Sequence, residues 1–135
     1  MADILVVEDD RDLNAAYKLI LESAKHKVKT ALNGVEALKI LNDYTPDLIL
    51  LDLLMPVMGG LELLQKYQLK KHKDVKVLIF TNMENSPEVT QAYDLGASRC
   101  IIKSWTAPQN LTKVVNDVLE ESNKAKAKIK QPINR

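Results

Sequence analysis

The sequence predicts an α/β fold in which helices cover both faces of one parallel β-sheet. Short apolar runs alternate along the chain with segments of helical periodicity, and the strongest runs are continuously apolar, as in strands buried on both faces. Strict alternation favours parallel pairing with right-handed crossovers. The chain has 135 residues, of which 46% are hydrophobic and 27% charged, and this composition suits one domain with a packed core.

The first part of the chain supplies three predicted strands and two predicted helices. Residues 4–7 and 48–51 are apolar runs that predict buried strands. The segment KVKTA at 27–31 alternates lysine with smaller residues, which predicts an edge strand with one solvated face because lysine discourages aggregation there. Apolar residues recur at helical spacing over 13–24 and 35–41, and these segments predict the first two helices.

The middle of the chain predicts a loop, a third helix and a fourth strand. The segment MPVMGG at 55–60 is a loop by its proline and glycine content. A helix follows from Leu61, and the basic residues 70–73 suit its C-terminal turn, where the helix dipole favours positive charge. Residues 75–80 are the fourth apolar run.

The last part of the chain predicts two more helices around a fifth strand. Ser86-Pro87 has the cap and first-turn chemistry of a helix that ends near Gly96. Residues 100–102 form the fifth strand, and 106–109 fit a capping box before an apolar helical pattern over 111–119. The chain is therefore predicted to contain five strands alternating with five helices.

Charge is distributed unevenly along the chain. Residues 123–135 carry five basic groups and no acid, so residues 1–122 carry 14 basic and 18 acidic groups, a net charge of −4. An acidic body argues against direct binding of DNA. We expect a domain at 1–122 and a basic tail at 123–135 that continues the last helix in a frayed or disordered form.

Other classes of protein are excluded by simple counts. The chain contains one cysteine, which rules out an internal disulfide framework and a multi-cysteine zinc site. It contains neither a long uncharged apolar stretch nor the basic start of a signal peptide. We expect a cytoplasmic protein without a membrane span.

The polar residues that follow the predicted strands are the candidate functional residues. In doubly wound sheets, ligands bind beyond the carboxyl ends of the strands. Acids follow the first strand where nucleotide-binding folds place glycines, and the GxGxxG and Walker A patterns are absent, so a dinucleotide or FMN site is disfavoured. The residues at these strand ends are Glu8, Asp9, Asp52, Thr81 and Lys103.

These residue types suit phosphoryl transfer assisted by a metal ion. Mg²⁺ prefers carboxylate oxygens, and a carboxylate at a strand end such as Asp52 can form an aspartyl-phosphate. A divalent cation and Lys103 would neutralise charge on the phosphoryl oxygens, and Thr81 would offer its hydroxyl to another of these oxygens. The alternative for Glu8 and Asp9 is a solvated acidic helix start, since acids favour a first turn.

Four motifs carry a resemblance to a known family. Taken together and in this order, they resemble the receiver domain of two-component response regulators, and the resemblance covers residues 2–122. The motifs are ILVVEDD at 4–10, LILLDLLMP at 48–56, FTN at 80–82 and IIKSW at 101–105.

The resemblance implies a flavodoxin-like, doubly wound five-stranded parallel sheet with strand order 2-1-3-4-5. It also implies that Asp52 is phosphorylated by a histidine kinase or a histidine phosphotransfer protein in the presence of Mg²⁺. Thr81 and Lys103 match the hydroxyl and the lysine that contact the phosphoryl group. The implied metal ligands are Glu8, Asp9, Asp52 and the backbone carbonyl of Leu54.

The function implied by the resemblance is a phosphorylation-switched signalling module that catalyses only its own phosphotransfer and dephosphorylation. A downstream protein would bind the fourth helix, fifth strand and fifth helix, around residues 86–119, and the chain would be a monomer or a weak phosphorylation-linked dimer. Two alternatives stay open. One is a constitutive docking module with a vestigial site. The other is an aspartate-nucleophile phosphatase, which Leu54 disfavours because such enzymes commonly have a second acid at that position.

Three positions depart from the family pattern. Ser104 replaces a proline that often follows a cis bond, and we expect a trans bond here because a cis bond without proline costs about 2.5–4 kcal/mol. Cys100 replaces a switching aromatic residue and is expected to be a small core residue. Gly59 replaces an acid before the loop glycine. Outside the motifs, we expect His26 and His72 to be solvated.

Overall fold

The structure is a computed structural model that describes residues 1–82 and 86–130. Within these residues, five strands form one parallel sheet of order β2-β1-β3-β4-β5, and five α-helices connect or follow the strands. This confirms the α/β class and the predicted strand order. The strands are β1 (Asp3–Val7), β2 (Lys27–Ala31), β3 (Leu48–Leu51), β4 (Lys76–Thr81) and β5 (Arg99–Ile102), and the helices are α1 (Arg11–Ser23), α2 (Gly34–Leu41), α3 (Gly60–Tyr67), α4 (Pro87–Asp94) and α5 (Leu111–Lys130).

The sheet separates two apolar clusters because successive side chains of a strand point to opposite faces. In β1, Leu5 and Val7 pack with buried residues of α2, α3 and α4. Ile4 and Val6 pack on the other face with buried residues of α1 and α5. The continuous apolar run of β1 therefore follows from its burial on both faces, as the sequence predicts.

Side-chain caps define the starts of three helices. The Asp10 carboxylate accepts hydrogen bonds from the backbone N–H groups of Asp12 and Leu13 and caps α1. Asn33 caps α2 in the same way. Ser86 caps α4, with a proline in its first turn, and this confirms the sequence prediction at that position.

The predicted C-terminal turn of α3 is wrong. The helix ends at Tyr67, and Gln68 adopts a left-handed conformation with φ of 57°. A short 3-10 turn over Leu69–Lys71 follows and buries Leu69 in the core, where it is 4% exposed. Burial of this leucine explains why the helix stops before the basic residues rather than running through them.

The predicted capping box before α5 is also wrong. The position that precedes the 3-10 turn Pro108–Asn110 is Ala107, and no side chain caps this turn. The Thr106 hydroxyl instead donates to the carbonyl of Ile102. The threonine thus bonds back to the end of β5 rather than forward to the next helix.

His26 is buried rather than solvated. The backbone N–H of Ala2 donates to its Nδ1 at 3.1 Å, and its Nε2 lies 2.9 Å from Oδ1 of Asn116. Because Nδ1 accepts a hydrogen bond, Nε2 carries the proton and donates to the asparagine. The ring therefore joins the start of β1 to α5.

The C-terminal region is only partly described. The backbone of α5 continues to Lys130, and residues 131–135 of the predicted tail lie outside the described residues. The division at residue 122 stays a prediction. None of the described helices is both long enough and apolar enough to span a membrane.

Candidate functional site

The parallel register brings the acids of β1 and β3 to the same edge of the sheet. Val7 pairs with Leu51, and the residues after them, Glu8 and Asp52, extend the two strands. The Asp52 N–H donates to the Val7 carbonyl at 3.1 Å, and the Glu8 N–H donates to the Ala31 carbonyl at 3.1 Å. These main-chain hydrogen bonds place both acids directly at the ends of their strands, as the sequence predicts.

Three carboxylates converge at this edge. Glu8, Asp9 and Asp52 each offer an oxygen atom, and these three atoms lie within 4.8 Å of one another. Glu8 and Asp52 are buried, whereas Asp9 is exposed. Three hard oxygen donors of this kind, one of them open to solvent, suit Mg²⁺, which uses one or two carboxylates and keeps several waters.

Lys103 reaches this cluster from β5, on the far side of β4. Its Nζ donates to Oδ2 of Asp52 at 2.8 Å and also to Oε1 of Glu8. Burial by itself lowers the pKa of the Lys103 ammonium, but the hydrogen bonds and charges of Asp52 and Glu8 outweigh it and raise that pKa above its usual value. The lysine is therefore charged and serves as the cation of the cluster.

The environment of Glu8 has the opposite balance. Burial raises the pKa of its carboxyl group and outweighs the hydrogen bonds that it accepts from Lys103 and from the Asp10 N–H. Two hydrogen bonds thus hold the side chain of Glu8 inside the site, and others hold its backbone. Its carboxylate has little freedom to turn away.

The loop after β3 passes close to Asp52. The N–H of Leu54 donates to Oδ1 of Asp52 at 3.2 Å, while the Leu54 side chain is 62% exposed. A Cβ atom on Gly60 would lie 2.7 Å from the Asp52 carbonyl oxygen. Only glycine allows α3 to begin this close to the strand end.

The remaining predicted residues lie at the ends of β4 and within β5. Thr81 is the last residue of β4, is fully buried and pairs with Ile102 of β5. Cys100 pairs with Ile79 and is partly buried against the apolar cluster of α2, α3 and α4. Desolvation raises the pKa of the Cys100 thiol, as expected of a thiol that acts as a packing residue.

Ser104 makes a contact that a proline could not make. Its backbone N–H donates to Oδ1 of Asn82 at 3.0 Å, which joins the segment after β5 to the segment after β4. No peptide bond in the described part of the chain is cis, and this confirms the expected trans bond before Ser104.

Sequence reasoning missed one residue beside the acids, Asn14, and assigned a second, Tyr17, only to the apolar face of the first helix. Asn14 of α1 is buried, and its Nδ2 donates to the carbonyls of Glu8 and Ala31, each at 3.0 Å. Tyr17 packs edge-on against Phe80, with ring centroids 5.4 Å apart, and burial raises the pKa of its hydroxyl. The spacing of Asn14 with Tyr17, and with an apolar residue seven positions on, was the signal that it faces the core.

Comparisons with known proteins agree with this geometry. A family model described as the response regulator receiver domain matches residues 4–116. The chain is 30% identical to a probable transcriptional regulator, ycf27, from Cyanidium caldarium, over 94% of this chain and 50% of the relative. It is 35% identical to a protein-glutamate methylesterase/protein-glutamine glutaminase from Rhodospirillum rubrum, over 98% of this chain and 37% of the relative.

Solved structures give the same result. A receiver domain protein described as CheY-like, from Methanospirillum hungatei, superposes with a TM-score of 0.84 and 27% identity, over 93% of this chain and 98% of that one. The present chain spans about half the length of the relative from Cyanidium caldarium and less than half of the relative from Rhodospirillum rubrum.

Proposed function

The chain belongs to the response regulator receiver domain family, and on that premise we propose that Asp52 accepts a phosphoryl group in a phosphorelay. The observation that carries the proposal is the contact of Lys103 Nζ with Asp52 Oδ2 at 2.8 Å, beside the three-carboxylate cluster. A reactive carboxylate, a fixed cation and a set of metal-binding oxygens are what phosphoryl transfer asks of a protein.

The transfer begins with attack of a carboxylate oxygen of Asp52 on the phosphorus of a phosphohistidine. The new O–P bond replaces the P–N bond, and the imidazole leaves with the bonding electron pair and takes up a proton from solvent. Lys103 then pairs with the oxygens of the aspartyl-phosphate, and Thr81 offers them its hydroxyl. A Mg²⁺ ion bound by Glu8, Asp9, Asp52 and the Leu54 carbonyl would neutralise charge that develops on the phosphoryl oxygens.

The phosphodonor is a histidine kinase or a histidine phosphotransfer protein, and the chain meets it in the cytoplasm. A cavity of ≈ 240 Å³ opens beside Lys103, and its lining includes Leu13, Tyr17 and Phe80. Aromatic and apolar residues are common at protein interfaces, so this cavity supports a protein as the donor.

The output is a phosphorylation-dependent contact with a downstream protein through residues 86–119. Tyr93 of α4 is 46% exposed on this surface, and an exposed aromatic side chain is a frequent anchor of protein interfaces. In this proposal the chain acts through protein contacts, as a monomer or a weak phosphorylation-linked dimer.

Labelling with a small phosphodonor tests the proposal. The folded protein, incubated with acetyl phosphate and Mg²⁺, is expected to gain one phosphoryl group, measured by intact-protein mass spectrometry. Asp52→Ala should abolish the gain, while Asp43→Asn, at an exposed acid away from the site, should retain it. A folded wild-type protein that takes up no phosphoryl group contradicts the proposal.

The two alternatives give different results. A constitutive docking module binds its partner with the same affinity with and without beryllofluoride, whereas a switch shows a difference because an effector acts only through differential affinity. A phosphatase turns over an aryl phosphate in a reaction that depends on Asp52. The exposed Leu54 side chain provides no acid for that turnover.

A further inference from the structure

We propose that Asn14 is a positioning residue of the metal site, which holds the Glu8–Asp9 segment where its carboxylates can bind Mg²⁺ together with Asp52. This inference rests on the proposed function, since it concerns the same cation. Asn14 touches none of the carboxylates through the contacts described above. It acts through the backbone of Glu8.

Asn14 donates hydrogen bonds to two backbone carbonyls at the point where the pairing of β1 with β2 ends. The regular pairing of β1 with β2 ends at Val7 and Ala31. One residue further, the Glu8 N–H still donates to the Ala31 carbonyl, at 3.1 Å. The Asn14 amide then donates one N–H to the Glu8 carbonyl and the other to the Ala31 carbonyl. Because both acceptors are carbonyl oxygens, the orientation of this amide is fixed by chemistry.

The start of α1 presents the amide at the required place. The Asp10 side chain caps α1, and the Asn14 N–H donates to the Asp10 carbonyl at 2.8 Å. Asn14 is 6% exposed and lies on the same helix face as Tyr17 and Leu21, which are also buried. Burying an amide on such a face is unfavourable unless its donors are satisfied. The two carbonyls explain why an asparagine, rather than an apolar residue, stands at this core position.

The acidic segment needs such a restraint because like charges meet there. Glu8, Asp9 and Asp52 place carboxylate oxygens within 4.8 Å of one another. The Lys103 ammonium contacts Glu8 and Asp52 but offsets only one of the three negative charges, so the remaining repulsion favours movement that separates the carboxylates. Glu8 and Asp52 each lie one residue beyond the regular pairing of β1 with β3, and Asp9 lies one residue further. The Asp52 N–H still donates to the Val7 carbonyl, and the Asn14 amide holds the carbonyl of Glu8. Removing the Asn14 bonds lets this segment withdraw and costs Mg²⁺ affinity. Loss of a group that orients metal ligands typically weakens binding 10–100-fold.

Calorimetric titration with Mg²⁺ tests the role of Asn14. Asn14→Leu, which removes both donors, is expected to bind Mg²⁺ about tenfold more weakly than wild type. Asn14→Ser keeps one short donor and is expected to fall between the two. Leu21→Ala is the matched control, because it removes a fully buried side chain of the same helix two turns further on. Both proteins lose stability, but the control should bind Mg²⁺ within twofold of wild type.

Phosphorylation kinetics give a second readout that a purely structural role would not move. With acetyl phosphate as donor, the Mg²⁺ concentration for half-maximal rate should rise about tenfold in Asn14→Leu, while the rate at saturating Mg²⁺ stays within threefold of wild type. If Asn14→Leu does not fold, the same measurements on Asn14→Ser decide the question.

The outcomes separate the two proposals. The role of Asn14 is refuted if the Asn14 variants bind Mg²⁺ with the affinity of wild type, or if Leu21→Ala loses as much Mg²⁺ affinity as they do. Either result leaves the proposed function intact. A folded wild-type protein that binds no Mg²⁺ contradicts the proposed function, and the role of Asn14 falls with it.

Discussion

A methyl group added at Gly60 would test how closely the start of α3 is tied to Asp52, the proposed phosphoacceptor. The Cβ of Gly60→Ala would lie 2.7 Å from the Asp52 carbonyl oxygen and 2.9 Å from the Cα of Leu53. Both neighbours are backbone, so the loop must shift by about 0.5 Å or more before normal contact distances return. The Gly60 N–H also donates to the Leu53 carbonyl at 3.0 Å, which prevents a simple outward movement.

The size of the effect follows from two opposing contributions. Overpacking of this kind costs about 1–3 kcal/mol, and the better helix propensity of alanine returns up to about 1 kcal/mol. We therefore expect the free energy of unfolding to fall by about 1–2 kcal/mol, or Tm by about 3–8 °C for a chain of this length. Because the displaced residue is Asp52, phosphorylation by acetyl phosphate should slow roughly tenfold.

The neighbouring glycine provides the matched control. In Gly59→Ala, the nearest atom to the new Cβ is the Leu53 carbonyl oxygen at 3.1 Å, and the φ of −79° is accessible to alanine. This variant should keep its unfolding free energy within about 1 kcal/mol of wild type and its phosphorylation rate within twofold. Chemical denaturation and the initial rate of phosphoryl gain measure both quantities. The reasoning is refuted if Gly60→Ala and Gly59→Ala have the same unfolding free energy and the same phosphorylation rate.

Three further predictions concern other described contacts. Lys103→Met leaves two buried carboxylates without their cation and should lower the unfolding free energy by roughly 3 kcal/mol. In urea denaturation, added Mg²⁺ should raise the unfolding free energy more in this variant than in wild type. An equal rise in both proteins would contradict the role of Lys103 as the cation of the cluster. His26→Ala and Asn116→Ala each remove one end of a partly buried hydrogen bond of 2.9 Å, at a cost of about 1 kcal/mol. The double variant should lose less stability than the sum of the two single variants, and strict additivity in the same assay would contradict the contact. Desolvation raises the pKa of the Cys100 thiol, so less thiolate is present at a given pH. The pH midpoint of the rate of thiol alkylation should therefore be higher in the folded protein than in urea. Equal midpoints would show that the fold does not perturb the thiol.

The parts of the fold that could be predicted are those with a local signal. Residues 48–51 form β3 with the bounds that the apolar run predicts, and Ser86 caps α4 as its chemistry predicts. The end of α3 had no such signal, because the left-handed Gln68 serves to bury Leu69 by contacts distant in sequence. The burial of His26 could not be predicted for the same reason, because its hydrogen-bond partners lie 24 and 90 positions away in the sequence.

The candidate site shows the same division. The convergence of Glu8, Asp52 and Lys103 follows from a general rule about the ends of parallel strands, so the sequence was sufficient. Asn14 was overlooked because it follows a run of exposed charged residues that reads as a solvated helix start. Its partners are main-chain carbonyls, which no side-chain motif reveals.

The contact of Lys103 with the acids has a consequence for how tightly the site can hold a metal. Three carboxylates and one ammonium have a formal sum of −2, which a single divalent ion would balance. The ammonium, however, is a counterion attached to the chain, and it cannot diffuse away when Mg²⁺ arrives. A Mg²⁺ ion bound at this cluster would share Glu8 and Asp52 with the ammonium, and this competition would lower its affinity. The proposed phosphoryl group on Asp52 would add negative charge, so that Lys103 and the metal ion would each have a partner and would no longer compete.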